Sequence, residues 1–477
     1  MREFIEFARS HNELQVVKGA DTNLEIGALT ELLAQKPNPP LVVFDEIPGF
    51  KPGYRVASNL FNNSLRTAAV LGLKEGLKGV ELVKAWKDAS ANFKSIKARE
   101  VSDGPVNENV MKGDKINILD FPAPLWHEGD GGNYIGTGCC VITKHPDEGW
   151  VNVGTYRVMT TGVKDKLSIM IVGGKHGDLN RKLYFDKGKN CPIVISFGQE
   201  PTFFVLGGYP VVPGGTSFFD FASGVRGEPV EYLVGESGLP IPATAELVIE
   251  GELLPESVES VMEGGFGEWP GYVTGARPQP VIKISEIRYR NNPIVHGSPP
   301  LKPPLPEALG YNITTSAAVW REMEPHIPEL RGVWCGNEGG TGGTPGFWMV
   351  ISIRQRYPGH AKHAALAACG CRAGAYAGRY VIVVDEDIDP SNLGDVVWAI
   401  ATRCDPGRGI DIIHDCWDSP CDPLVFGERR LKGDITDTRA IINACRPFHA
   451  FKEFPAVATT GPELAAQMRK KFSKVLE

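Results

Sequence analysis

Two glutamates, Glu263 and Glu268, stand five residues apart in EGGFGEWPGY (263–272), a stretch otherwise made of glycine, aromatic residues and proline. The glycines at 264, 265 and 267 disfavour a helix, so the pair is predicted on a tight irregular loop after the strand AELVIEGEL. Two ionised carboxylates repel, and burial makes the repulsion expensive. A cation beside them holds one ionised and leaves the other, with its pKa raised, able to donate a proton. Arg157, which closes NVGTYR (152–157), is the candidate cation. A guanidinium keeps its charge and grips carboxylates in a fixed fork. An isolated pair at this spacing usually marks a solvated loop. Arg157 turns it into candidate proton-transfer chemistry.

Other clusters are weaker. Asn152 and His176, the latter in GGKHGDLN (173–180), are possible ligands of a hard cation together with a carboxylate, although a histidine in a glycine-rich loop is more often structural. His360 and His363 lie three apart on a predicted helix without a carboxylate motif, and read as surface or interface residues. GGTGGTPG (339–346) precedes a strand and lacks GK[ST], so it is not a phosphate-binding P-loop. Neither GxSxG nor HExxH occurs.

The elements that must position these groups fall into three blocks of the 477 residues, in keeping with a chain too long for one ordinary core. Residues 1–110 read as an α/β domain, with a helix at 23–36, a strand at 40–47, and helical patterns in LRTAAVLGL and GVELVKAWKDA. Residues 111–300 are short β-rich runs separated by Gly, Pro and Asp clusters, which suggests a β-barrel or sandwich. SPPLKPPLPEALGY (298–311) reads as a linker or polyproline crossing. Residues 301–477 return to α/β: a strand in FWMVISI, a helix in GHAKHAALAACGCRAGAY, a strand in RYVIVVDEDID, and a helix in SNLGDVVWAIATR capped by Ser391. The basic terminal helix in GPELAAQMRKKFSKVLE either docks on a neighbouring subunit or is solvated.

A formal net charge of −7 and no basic run argue against nucleic acid as a partner. The charged N-terminus has no signal-like apolar core, and no apolar run approaches membrane-spanning length. A cytoplasmic protein is expected. The ten cysteines form no CxxC pair and read as reduced thiols.

In order along the chain, DGGNYIGTG (130–138), NVGTYR, the His176 loop, VPGGT (212–216), RGEPVEYL (226–233), EGGFGEWPGY, ISEIRYRNNPIVHGSPP and VVWAIATRCDP resemble the UbiD family of reversible decarboxylases. The resemblance implies an N-terminal α/β domain, a central split β-barrel related to flavin reductases, and a C-terminal α/β domain whose last helix joins subunits into dimers or hexamers. It implies prenylated FMN supplied by a partner flavin prenyltransferase, a divalent metal such as manganese, and potassium. The substrates it implies are aromatic, heteroaromatic or α,β-unsaturated carboxylic acids.

Carried over residue by residue, Glu263, Arg157 and Glu268 match the catalytic set, with Glu268 as proton donor. Asn152, Gly154, Thr155, Tyr156, Arg157, Lys175 and His176 match cofactor-binding positions, and Asn152 and His176 match metal ligands. Two positions depart. Phe218, in SFFDFASGVRG, replaces the third metal ligand; either Asp220 substitutes, on the same face if the segment is a strand, or the metal site is altered or lost and the phosphate is held another way. Arg439, in TDTRAIINAC, replaces a cofactor-contacting lysine and could bind phosphate in its place. Trp269 beside Glu268 suggests a flat aromatic acid. Two other readings compete: a redox flavoprotein on ordinary FMN, against which the missing dinucleotide-binding fingerprint counts, and a non-catalytic subunit of a larger carboxylase, motivated by Phe218 and Arg439.

Overall fold

The computed structural model describes residues 1–208, 212, 216–305, 307–336 and 346–476. Nearly all of GGTGGTPG and most of VPGGT lie outside them. The chain forms an N-terminal α/β region, a curled antiparallel half-barrel and a C-terminal α/β domain, as the resemblance implies.

The apolar run LVVF makes the buried strand Leu41–Asp45, which pairs in parallel with Leu14–Lys18. Arg55–Ser58 lies on its other side, and the sheet is completed by Ile294–His296, which arrives from far along the chain to pair with Arg55–Ser58. The predicted first helix runs Glu25–Ala34.

The half-barrel is ten strands. Its path runs Tyr134–Gly136, Arg157–Thr160, Lys166–Met170, Arg277–Tyr289, Leu247–Leu253, Cys191–Phe197, Cys140–Lys144 and Val151–Gly154. Ser260–Glu263 and Asn109–Lys112 also pair with the 13-residue strand Arg277–Tyr289. Neighbouring residues point to opposite faces. Val141, Ile193 and Ile249 join Ile26, Phe44, Val56, Tyr134 and Phe266 in one core. Cys140, Ile142, Val194 and Val248 join Phe203, Phe204, Ile313, Val333 and Ile351 in the other. The half-barrel is thus sandwiched between the N-terminal sheet and helices that lean on the C-terminal domain.

The C-terminal sheet runs Leu330–Cys335, Trp348–Ile353, Tyr380–Asp385, Thr436–Ala444, Ile410–Trp417, with a parallel centre and antiparallel edges. Four expectations need correction. The helix from His360 stops at Gly370, where Cys371 turns extended, instead of reaching Tyr376. The cap of helix Leu393–Arg403 is Asn392, whose Oδ1 accepts from Asp395 N at 3.2 Å; the Ser391 hydroxyl donates instead to Asp389. The proline-rich crossing is shorter than 298–311, because helix Ala308–Met323 has already begun. Phe218 and Asp220 lie not on a strand but in helix Phe218–Arg226, capped by Ser217. Helix Pro462–Lys471 near the C-terminus has no buried residue. All ten cysteines are free thiols, and no helix among the described residues is long and apolar enough to cross a membrane.

Candidate active site

Arg157 opens the strand Arg157–Thr160, opposite Met170. Glu263 is the last residue of strand Ser260–Glu263, opposite Arg277, so only the residues after it form the irregular turn. Gly264 turns there with φ +98°, which a side chain would resist. A Cβ on Gly131 would strike the Gly264 carbonyl, and Gly131 N donates to Gly265 O at 2.8 Å. Glycine therefore lets DGGNYIGTG approach the turn. A short hairpin, Phe266–Gly267 with Val273–Thr274, carries Glu268 back toward Arg157, and Glu268 N donates to Tyr272 O at 3.0 Å.

The three predicted residues meet. Arg157 holds Glu263 in a fork, Nε to Oε1 at 2.7 Å and Nη2 to Oε2 at 2.9 Å, and reaches Glu268 Oε1 with Nη1 at 2.7 Å. Side-chain exposure is 9% for Arg157, none for Glu263 and 14% for Glu268. The Tyr134 hydroxyl donates to Glu263 Oε1 at 2.7 Å, and its ring lies 3.8 Å from that of Phe266. Arg157 also lies 5.3 Å over the Phe266 ring.

The two carboxylates are not equivalent. Glu263 accepts three charge-compatible hydrogen bonds and is closed off. Glu268 makes one, to Arg157, with the Cys421 thiol beside it. Burial pushes the Glu268 carboxyl above the usual range, outweighing Arg157 and Cys421, which pull it down. Burial works against the Arg157 charge, but its hydrogen bonds to Glu263 and the field of Glu268 raise its pKa on balance. One acid tied down, one acid with a raised pKa and a fixed cation between them form a proton-transfer constellation.

Arg157 and Glu268 border a cavity of about 230 Å³, together with Thr155, Tyr156, Phe204, Phe266, Trp269 and Tyr311. Glu307 also borders it. Its carboxylate accepts from Leu60 N and Phe61 N at 3.0 and 3.1 Å and lies 3.2 Å from His296 Nε2. Tyr134, Cys421, His296 and Glu307 were not singled out from the sequence. Tyr134 and His296 lie inside motifs that carry the resemblance and Glu307 inside the proline-rich crossing, whereas Cys421 carries no local signal.

The residues around the cavity suit a phosphorylated flavin. Apolar side chains of Met170, Val172, Phe204 and Phe266 give a flat ring its walls. Beside them, Gly173 and Gly174 lead into Lys175 and the N-terminus of helix His176–Asp186, an arrangement that binds anions. A Cβ on Gly154 or Gly177 would come within 2.7 and 2.8 Å of Tyr156, whose hydroxyl accepts from Gly177 N. Asn152 Nδ2 is buried without a partner.

The expected metal set fits less well. His176 is exposed and sits edge-on to Trp150 at 5.2 Å. Asp220, on its helix, accepts from Ala98 N at 2.9 Å. Among the described residues no three His, Cys, Asp or Glu side chains gather to hold an ion. Arg439 does not border the cavity; its guanidinium donates to the carbonyls of Cys369, Gly374, Ala375 and Trp417. A phosphate role for Arg439 does not fit this placement.

The sequence matches three family models of 3-octaprenyl-4-hydroxybenzoate carboxy-lyase: the N-terminal domain over residues 5–86, the Rift-related domain over 98–303 and the C-terminal domain over 310–444. It is 30% identical over 470 residues to the pyrrole-2-carboxylic acid decarboxylase of Pseudomonas aeruginosa, covering 94% of this chain and 91% of that one. It is 32% identical over 441 residues to a phenolic acid decarboxylase of Sedimentibacter hydroxybenzoicus, covering 89% and 88%. The fold superposes on the open form of the vanillic acid decarboxylase of S. hydroxybenzoicus with a TM-score of 0.85 at 28% identity, over 100% of this chain and 99% of that one. It superposes on an evolved dimeric form of the UbiD-class enzyme HmfF of Pelotomaculum thermopropionicum, solved with prFMN, with a TM-score of 0.80 at 26% identity, over 97% of each chain. With three domain models in order along its length and decarboxylases as its relatives, the chain belongs to the UbiD family and is a carboxy-lyase of that type.

Proposed function

We propose that the enzyme reversibly decarboxylates an aromatic or heteroaromatic carboxylic acid with prenylated FMN as cofactor, and that Arg157, Glu263 and Glu268 are its catalytic set. The observation that carries this reading is the Arg157 bridge between one enclosed and one cavity-facing glutamate. Thr155, Tyr156 and Arg157 would face the flavin ring, with Asn152, Gly154, Lys175 and His176 toward its phosphate. Bound there, the flavin supplies the electron sink for loss of CO₂.

The chain's own residues do the rest. Arg157, held in place by Glu263 and through it by Tyr134, orients the substrate carboxylate. Glu268, whose hold on a proton burial strengthens, delivers that proton to the carbon that CO₂ leaves. In the carboxylation direction it takes that proton back. Trp269 and Phe266 offer flat walls, which favours an aromatic acid over a flexible one. A divalent metal at Asn152 and His176, potassium, a flavin prenyltransferase as cofactor supplier and a homodimer or homohexamer complete the reading.

The test is mass spectrometry of the small molecule released by denatured protein after co-expression with a flavin prenyltransferase, followed by CO₂ release from a panel of aromatic acids. Prenylated FMN and turnover by the isolated homo-oligomer are expected. Plain FMN with NAD(P)H-dependent absorbance changes would favour a redox flavoprotein. No flavin, with activity only alongside another subunit, would make the chain an assisting subunit.

A further inference from the structure

The C-terminal domain grips the residues Glu268 and Trp269 from two directions. Phe347, just before strand Trp348–Ile353, lies 4.9 Å from the Trp269 ring. Cys421, on the turn after strand Ile410–Trp417, places its thiol beside the Glu268 carboxyl. Arg379 touches both arms. Its guanidinium lies 4.2 Å over the Phe347 ring and ion-pairs with Asp422, the residue beside Cys421. It also lies 3.7 Å from Asp418 on the same turn.

The Cys421 turn is otherwise braced from behind. Arg439 holds the Trp417 carbonyl at 2.9 Å, Arg430 holds that of Pro420 at 3.3 Å, and Cys421 N donates to Ser419 Oγ at 3.1 Å. These contacts fix the turn's shape. Asp422 is 1% exposed, so its charge has little solvent to fall back on if Arg379 is lost. The Arg379 guanidinium is therefore the joint through which the turn and Phe347 are held in one arrangement against the site.

We infer that Arg379 is a positioning residue for Glu268 and Trp269, acting through Phe347 on the indole and through the Asp422–Cys421 turn on the carboxylate. This rests on the reading of Glu268 as proton donor only for its effect on turnover; the mechanical link stands apart from it.

The test uses the full-length protein and reads the Cys421 thiol directly. Native protein is treated with iodoacetamide, and alkylation of each cysteine is followed by peptide mass spectrometry, with fully buried Cys140 reporting on global folding. Arg379→Met is expected to speed Cys421 alkylation at least tenfold while Cys140 stays protected, and Arg379→Lys to give an intermediate rate. In parallel, kcat for the cognate acid is expected to fall at least tenfold with a smaller change in KM. Unchanged Cys421 alkylation with Cys140 protected overturns the proposal. Faster alkylation with unchanged kcat sustains the link and removes Glu268 as proton donor. Should Arg379→Met unfold the chain, Phe347→Leu breaks the stack without unpairing a charge. A threefold or greater rise in Cys421 alkylation then sustains the link, and no rise overturns it.

Discussion

The half-barrel and the C-terminal domain each hold arginine among carboxylates, and they do so for different ends. In the half-barrel, Arg157 lies between Glu263 and Glu268, and one of its partners faces a cavity. In the C-terminal domain, half-buried Arg379 and buried Arg439 lie among Asp418, Asp422 and Asp437, the three aspartates at most 7% exposed. Burial pushes Asp418 up to about 8, with a hydrogen bond to Asp422 adding to it. That is a larger displacement than many functional acids show. Yet none of these five residues lines the cavity beside Glu268, and the Arg439 Nη1 and Nη2 groups are spent on main-chain carbonyls. A perturbed acid beside a guanidinium is thus insufficient to mark chemistry. What separates the first cluster is a carboxylate that faces a space a substrate can enter.

That contrast can be broken most sharply at its centre. Arg157→Met removes the cation between two buried acids, and is expected to abolish CO₂ release and to cost about 3–5 kcal/mol of stability, read by denaturant unfolding. In the other cluster, Arg439→Met leaves four carbonyls without a donor. A loss of about 3 kcal/mol or more is expected, with flavin content per folded protein unchanged; a lost flavin would restore Arg439 to the cofactor site. Glu268→Gln separates chemistry from structure: turnover should drop by roughly 10²–10⁴-fold with little change in unfolding. Because its pKa is raised, wild-type activity in the decarboxylation direction should persist above the ordinary glutamate range and fade as pH rises through the shifted value. An alkaline limb that survives in Glu268→Gln would belong to another group.

The smallest effect is expected at Asp418. Its folded pKa of about 8 lies above its ordinary 3.8, so the folded state holds a proton that the unfolded chain releases. The stability it contributes is full below the ordinary value and declines as pH rises toward about 8. Asp418→Asn should flatten that part of the Tm–pH curve while leaving turnover within about twofold. A sizeable loss of turnover would mean that the second cluster serves the reaction more directly than its enclosure suggests.

Much of the fold was legible because its signals are local: a β-branched run at 41–44, capped helices, and turn residues between strands of the half-barrel. The core of the site was legible because two acids in a glycine-rich turn need a cation. Its surroundings were not, since Tyr134, Phe347 and Cys421 reach Glu263, Trp269 and Glu268 only through sheet curl and domain contact. Asp220 was misread for a different reason. The same-face argument for Asp220 assumed a strand, whereas burial at 218, 219, 221, 222 and 225 follows helical spacing behind the Ser217 cap. Asn392 displaced Ser391 as a cap by a single residue, the usual margin at helix ends.

The N-terminal sheet closes with strand Ile294–His296 beside Arg55–Ser58. On the ribosome, the first three strands are therefore made long before their fourth. At typical elongation rates of ~5–20 residues per second, the open edge waits on the order of tens of seconds. An unpaired strand edge is a template for unwanted pairing. The nascent chain thus passes through a window in which the edge at Arg55–Ser58 is unguarded, and chaperone demand during synthesis should be concentrated there.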